Sequence, residues 1–127
     1  MSRLAFSAAL LALGALALVA SAGAGAASPQ VHAAKSCHLS THDQTHLGAS
    51  YVTSLRVKKT SCRNGKAVVR AYQKCRRAHG WKGKCGHKVK GYKCKRHIQD
   101  SSSFQYDATV TCRRGTKRVT HSYTQNK

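Results

Sequence analysis

Tyr106-Asp107-Ala108-Thr109-Val110-Thr111-Cys112-Arg113-Arg114-Gly115-Thr116-Lys117-Arg118-Val119-Thr120-His121-Ser122-Tyr123 is the stretch that decides the fold. Tyr106, Ala108, Val110 and Cys112 alternate with Asp107, Thr109, Thr111 and Arg113. After Arg114-Gly115-Thr116, Val119, His121 and Tyr123 fall on one side of a second run. A period of two on both sides of a short Gly-containing turn predicts an antiparallel hairpin with one apolar face. His121 lies on that face and reads as a core histidine rather than a reactive one.

An apolar sheet face needs a covering layer. Residues 63–79 supply one. Val68, Tyr72 and Cys75 share a helical face with Val69 beside them, and Ala67, Ala71 and Cys75 form a small-residue stripe next to it. Ser61 or Asn64 can cap the start; Lys74, Arg76, Arg77 and His79 crowd the end, where cations suit the helix dipole, and Gly80 is a natural stop.

Two more strands flank these elements. Tyr51, Thr53, Leu55 and Val57 alternate with Val52, Ser54, Arg56 and Lys58 before the helix. After a Lys/Gly loop at 81–91, Tyr92, Cys94, Arg96 and Ile98 alternate with Lys93, Lys95 and His97, and Gln99 to Ser103 reads as a polar connection. The order is strand, helix, strand, strand, strand. The fold class is α+β: one helix packed on a small, mostly antiparallel sheet, stapled by disulfides. The expected core is Val52, Leu55, Val57, Val68, Val69, Tyr72, Tyr92, Ile98, Tyr106, Val110, Val119 and Tyr123.

Residues 51–127 make one small domain. Residues 27–50 read as a flexible N-terminal segment, with 27–36 a disordered lead-in and 37–50 a loop tied down at Cys37. Residues 1–26 read as a secretory signal peptide: Arg3, an apolar run from Leu4 to Ala20 broken by Ser7 and Gly14, then Ala24 and Ala26 at −3 and −1 of the cleavage site. A span needs about 20 predominantly apolar residues, and this Ala-rich run is shorter than that. The expected location is extracellular or in the cell envelope.

All six cysteines follow the leader, in an oxidising setting that favours disulfides. No Cys-x-x-Cys is present, which argues against a zinc knuckle or a thioredoxin-like site. Cys75–Cys85 is the expected bridge from helix to following loop. Cys37, Cys62, Cys94 and Cys112 form the other two, with their pairing open. A disulfide is worth about 2–4 kcal/mol, so three are comparable with the whole stability of an ordinary domain, about 5–15 kcal/mol.

Ser61-Cys62-Arg63-Asn64-Gly65-Lys66-Ala67-Val68, then Tyr72, then Gly91-Tyr92-Lys93-Cys94, then Val110-Thr111-Cys112-Arg113-Arg114-Gly115 resembles a group of small exported disulfide-containing proteins of high-GC, actinobacterial-type bacteria. The resemblance covers roughly residues 51–124 and implies export and a disulfide framework, with no activity attached. This chain departs from the group in its extra pair, Cys75 and Cys85, and in its charge.

The chain carries 23 Lys and Arg against 3 acids, all Asp, for a net charge of +20. Paired-carboxylate catalysis has no support from three scattered Asp, and no Gly-x-Ser-x-Gly elbow or phosphate-cradling Gly-rich loop is present. Lys82, Lys84, Lys88, Lys90, Lys93, Lys95 and Arg96 form one basic cluster, with Trp81 and Tyr92 interleaved as aromatic support. Arg113, Arg114, Lys117 and Arg118 form a second. Such clusters recruit polyanions by counterion release, and exposed aromatics add stacking. The expected function is binding of anionic polymers or surfaces: nucleic acid, acidic polysaccharide or cell-wall polymer. The expected protein is a monomer without a cofactor or catalytic residues.

Three alternatives remain at this level. A cationic membrane-active protein needs an exposed amphipathic helix, and none is evident. A small ribonuclease would pair His97 or His121 with Lys93 or Lys95. A metal site would use His38, His42 and His46 at i, i+4 and i+8, but Ser, Thr, Asp and Gly favour an exposed loop there.

Overall fold

The alternation and the helical period both translate into structure. The computed structural model describes residues 32–127. The elements are β1 (Lys35–Ser36), α1 (Thr41–His46), β2 (Tyr51–Lys58), α2 (Cys62–Arg77), β3 (Lys93–Ser101), β4 (Gln105–Arg114) and β5 (Lys117–Asn126). The strands form one antiparallel sheet in the order β1-β2-β5-β4-β3. Strand β5 closes the hairpin with β4 and also pairs β2, so the first and last long strands are neighbours.

Ser61 caps α2 by accepting from the Asn64 backbone N–H, and Gly80 follows the helix with φ +89°. The helix turns Val68, Val69 and Tyr72 onto the sheet face made by Val52, Leu55, Val57, Val110, Val119 and Tyr123, and all of these are buried. Gly65 sets the closeness of this contact: a Cβ there would stand 2.7 Å from Val57 Cγ1. Burial of each large apolar side chain contributes about 1.5–3 kcal/mol, so this single layer holds much of the domain.

Three expectations are corrected. The lead-in expected to be disordered over 27–36 ends in strand β1, with Lys35 paired to Val57 and Ser36 to Arg56. Residues 37–50 contain helix α1 rather than loop alone, because Ser40 and Asp43 form a reciprocal capping box that offsets poor helix propensity. Leu39, Leu47 and Ala49 of this segment are buried with the core. The polar connection expected over 99–103 is strand as far as Ser101, with a register shift between Ile98 and Asp100.

The disulfides are Cys37–Cys62, Cys75–Cys85 and Cys94–Cys112. They tie the N-terminal segment to the start of α2, the end of α2 to the following loop, and β3 to β4. The expected leader over 1–26 lies outside the described residues. Among the described residues, no helix is long and apolar enough to cross a membrane.

Candidate anion-binding surface

Both helices lie on the inner face of the sheet, and no described element covers the outer face. Strand alternation assigns that face its residues. Val57, Val119 and Cys112 point inward, so Lys58, Arg118 and Arg113 point outward. Register makes them neighbours: Lys58 opposes Arg118, Arg118 opposes Arg113, and Arg113 opposes Lys93. Four cations thus form one row across β2, β5, β4 and β3. At about 4.8 Å between strands the row spans roughly 14 Å.

The next outward row is Arg56, Thr120, Thr111 and Lys95, and the one after it is Ser54, Ser122, Thr109 and His97. At the far end Tyr51, Thr124, Asp107 and Asp100 are in register. Two of the three acids therefore sit together, six residues along β4 from Arg113, or about 20 Å. The Debye length in physiological salt is about 8 Å, so these acids leave the cationic row unneutralised. The third acid, Asp43, is held by Lys66 Nζ at 2.6 Å, which together with its capping hydrogen bonds keeps its carboxyl down at about 2.

Shallow depressions mark the cationic end. One of about 320 Å³ is lined by Lys58, Lys59, Arg113, Lys117 and Arg118, among others. A second of about 400 Å³ is lined by Lys93, Lys95, Thr111 and Arg113. Cations with threonine hydroxyls between them offer charge and hydrogen-bond donors to phosphate or sulfate oxygens.

The rest of the sequence-predicted cluster is dispersed. Arg96 turns inward: its guanidinium donates to the Gly83 and Lys82 carbonyls at 2.8 and 3.1 Å and lies 5.7 Å from the Tyr106 ring centre. Arg96 shares the inward alternation of Cys94 and Ile98, so its charge serves the loop and not the open face. Lys82 donates to Ser101 Oγ, Lys84 lies beside Cys85 and Ile98, and Lys88 is exposed on the loop. Arg114 reaches toward the Lys90 carbonyl, and Lys90 itself belongs to the helix side, near Arg70, Lys74 and Arg77.

The aromatic support is also corrected. Tyr92 is 1% exposed, and its hydroxyl accepts from Asn64 Nδ2. Trp81 is half-buried edge-on against Tyr106, with Lys82 over its ring. Neither can stack on a ligand at the cationic row.

Behind the sheet lies a buried polar cluster that sequence reasoning missed. Arg76 is fully buried without a carboxylate partner. Its guanidinium donates to Gln73 Oε1, Gln125 Oε1, the Trp81 carbonyl and the Tyr106 hydroxyl. Gln73 then donates from Nε2 to His121 Nε2 at 3.2 Å, which leaves the proton on Nδ1, an atom with no partner among the described residues. Burial, reinforced by Arg76, pushes His121 down to about 3. His121 is therefore a neutral core residue, and it lies on the opposite sheet face from His97, so the two cannot act together on one phosphate.

His42 and His46 stack with ring centres 3.9 Å apart, and His46 Nδ1 is engaged by the His42 carbonyl and Thr45 Oγ1. Among the described residues the grouping with metal-ligand spacing is instead Cys75, Cys85 and His87, whose two sulfurs are bonded to each other. No family model matches the chain, and neither a curated protein nor a solved structure matches it.

Proposed function

We propose that this is an exported, disulfide-stapled binding module for anionic polymers, and that the open sheet face is its binding surface. The observation that carries the reading is the row Lys58–Arg118–Arg113–Lys93. Like charges directly opposite on a sheet are destabilising by a fraction of a kcal/mol per pair. Lysines on edge strand β3 have a structural explanation, since charge on an edge discourages strand pairing between molecules. Arg113 and Arg118 do not: they sit on the interior strands β4 and β5. A polyanion laid across the strands removes the repulsion and releases counterions from its own backbone.

The apolar side of α2 is occupied by the sheet, which weighs against membrane insertion by that helix. The separation of His97 from His121 weighs against a two-histidine ribonuclease.

The test is binding of the oxidised protein to labelled single-stranded RNA across a salt series, followed by a denaturing gel. Steeply salt-dependent binding of RNA that stays intact is expected, with an acidic polysaccharide as comparison. Absence of binding at low salt would overturn the proposal, and shortened RNA would point to an enzyme.

A further inference from the structure

The open sheet face does not exhaust the exposed cations. Arg63, Arg70, Lys74 and Arg77 fall at i, i+7, i+11 and i+14 along α2, and all are exposed. This spacing puts them on one stripe, on the side of the helix away from the sheet. Lys66 belongs to the same stripe but is engaged by Asp43. A groove of about 680 Å³ follows its C-terminal part, lined by Arg70, Lys74, Arg77, Lys90 and His46 with Ala67, Ala71 and Gly48. The helix dipole accounts for cations in the last turn, Lys74 and Arg77, but opposes one in the first turn, Arg63, and is indifferent to Arg70. The stripe runs about 21 Å along the helix.

We infer that the protein bridges two polyanion chains, one on the open sheet face and one along the outer stripe of α2. This inference rests on the polyanion-binding reading above. The two surfaces point in opposite directions because α2 is packed on the inner face of the same sheet. A helix with its side chains is about 10 Å thick, more than the Debye length of about 8 Å in physiological salt. Two bound chains therefore hardly repel each other across the protein, while two chains on one face would. Without the expected leader and its Arg3, 22 Lys and Arg stand against 3 Asp, so the cations of α2 remain unneutralised when a chain occupies the sheet face. Bridging then turns monovalent adsorption into cross-linking of a polymer mesh, with avidity set by the local concentration of polymer rather than by new contacts.

Any strong polycation can gather polyanions by neutralising them, so the test must hold total charge constant. Biotin-tagged oligothymidylate on beads captures the oxidised protein, and fluorescent oligothymidylate is added after washing. Four proteins are compared, the first three being wild type, a stripe variant (Arg63→Gln, Arg70→Gln, Lys74→Gln, Arg77→Gln) and a charge-matched variant (Lys82→Gln, Lys84→Gln, Lys88→Gln, Lys127→Gln). A milder stripe variant, Arg70→Gln with Lys74→Gln, guards against loss of fold, and circular dichroism melts check each protein. Wild type and the charge-matched variant should retain the second strand. The stripe variant should hold the first strand and lose about tenfold or more of the second. Equal retention by the stripe variants and wild type, or equal loss in the charge-matched variant, would overturn bridging while leaving single-strand binding intact. Failure of every protein to bind the first strand would overturn the polyanion reading itself.

Discussion

Arg113 and Arg118 stand directly opposite each other on the outer face of the β4–β5 hairpin. Lys58 lies beyond Arg118, and Lys93 beyond Arg113. The protein therefore carries a local electrostatic strain, which the proposed polyanion ligand would relieve. Each like-charge pair costs about 0.2–1 kcal/mol, and a change of 1 kcal/mol moves the melting midpoint of a domain near this size by about 4–8 °C. Arg113→Gln with Arg118→Gln removes all three like-charge pairs of the row and is expected to raise the midpoint by at least a few degrees in low salt. The same pair should reduce the stabilisation that inorganic polyphosphate gives the wild type. Calorimetric melts with and without polyphosphate check both. A lowered midpoint in the free variant would mean that the arginines are structural.

Among the described residues, no Tyr, Trp or Phe lines the depressions at the cationic row, where the one ring is the His32 imidazole. Tyr92, Tyr106 and Tyr123 are buried, and the exposed Tyr51 and Phe104, at 42% and 67%, lie near the acidic end of the strands. Base stacking is worth about 1–3 kcal/mol per base where it occurs. An abasic oligonucleotide should therefore bind within a few-fold of oligothymidylate of equal length. Fluorescence anisotropy competition decides it, and a loss of tenfold or more on removing the bases would place an aromatic platform in the site.

His121 makes stability depend on pH. Its folded value, about 3, lies below the ordinary 6.5, so between these the unfolded chain binds a proton that the buried ring refuses. Stability is full above about pH 6.5 and falls as pH drops toward 3, at up to about 1.4 kcal/mol per pH unit. Asp43, lowered from 3.8 to about 2, adds a further loss only below pH 4. Urea melts of wild type and His121→Gln should differ in slope between pH 4 and 6.5, with the variant flatter. Parallel curves would show that the ring is charged in the folded protein.

Gly83 is fixed by a close approach. A Cβ at this position would lie 2.1 Å from the Arg76 carbonyl oxygen, and the Gly83 N–H donates to the Gly80 carbonyl. Gly83→Ala must displace the turn that carries the Trp81, Lys82 and Gly83 carbonyls, which accept from Arg76 and Arg96. The expected cost is about 1–3 kcal/mol or more. Chemical denaturation measures it, and a change under 0.5 kcal/mol would contradict the packing described.

Local patterns carried much of the fold in the sequence. The hairpin, the α2 span with its Ser61 cap, and the Cys75–Cys85 bridge all depend on short-range spacing, and all are present. Helix α1 was hidden because propensity argues against Thr41-His42-Asp43-Gln44-Thr45-His46, whereas its stability comes from the Ser40–Asp43 box and the contact of Asp43 with Lys66. The Ser-x-x-Asp spacing was the available signal. The β2–β5 pairing joins strands far apart in sequence, and no local rule reaches it.

The candidate surface was legible in part. Lys93, Lys95, Arg113 and Arg118 follow from alternation. Lys58 joins them only through the β2–β5 register, and Arg70 and Lys74 become surface partners only once the sheet side of α2 is known. Arg96 shows the opposite failure: its parity already pointed inward, yet its neighbours in sequence grouped it with the solvated lysines.

The most direct test of the central claim is the salt dependence of binding to oligothymidylate, compared between Lys93→Gln/Arg113→Gln/Arg118→Gln and Lys82→Gln/Lys84→Gln/Lys127→Gln. Each variant loses the same charge, and each phosphate contact contributes about 0.7 to the slope of log K against log salt on a single strand. The account predicts a slope reduced by about 2 in the open-face variant and little changed in the other. Equal slopes in the two variants would contradict it, because binding would then follow total charge and not the row on the sheet.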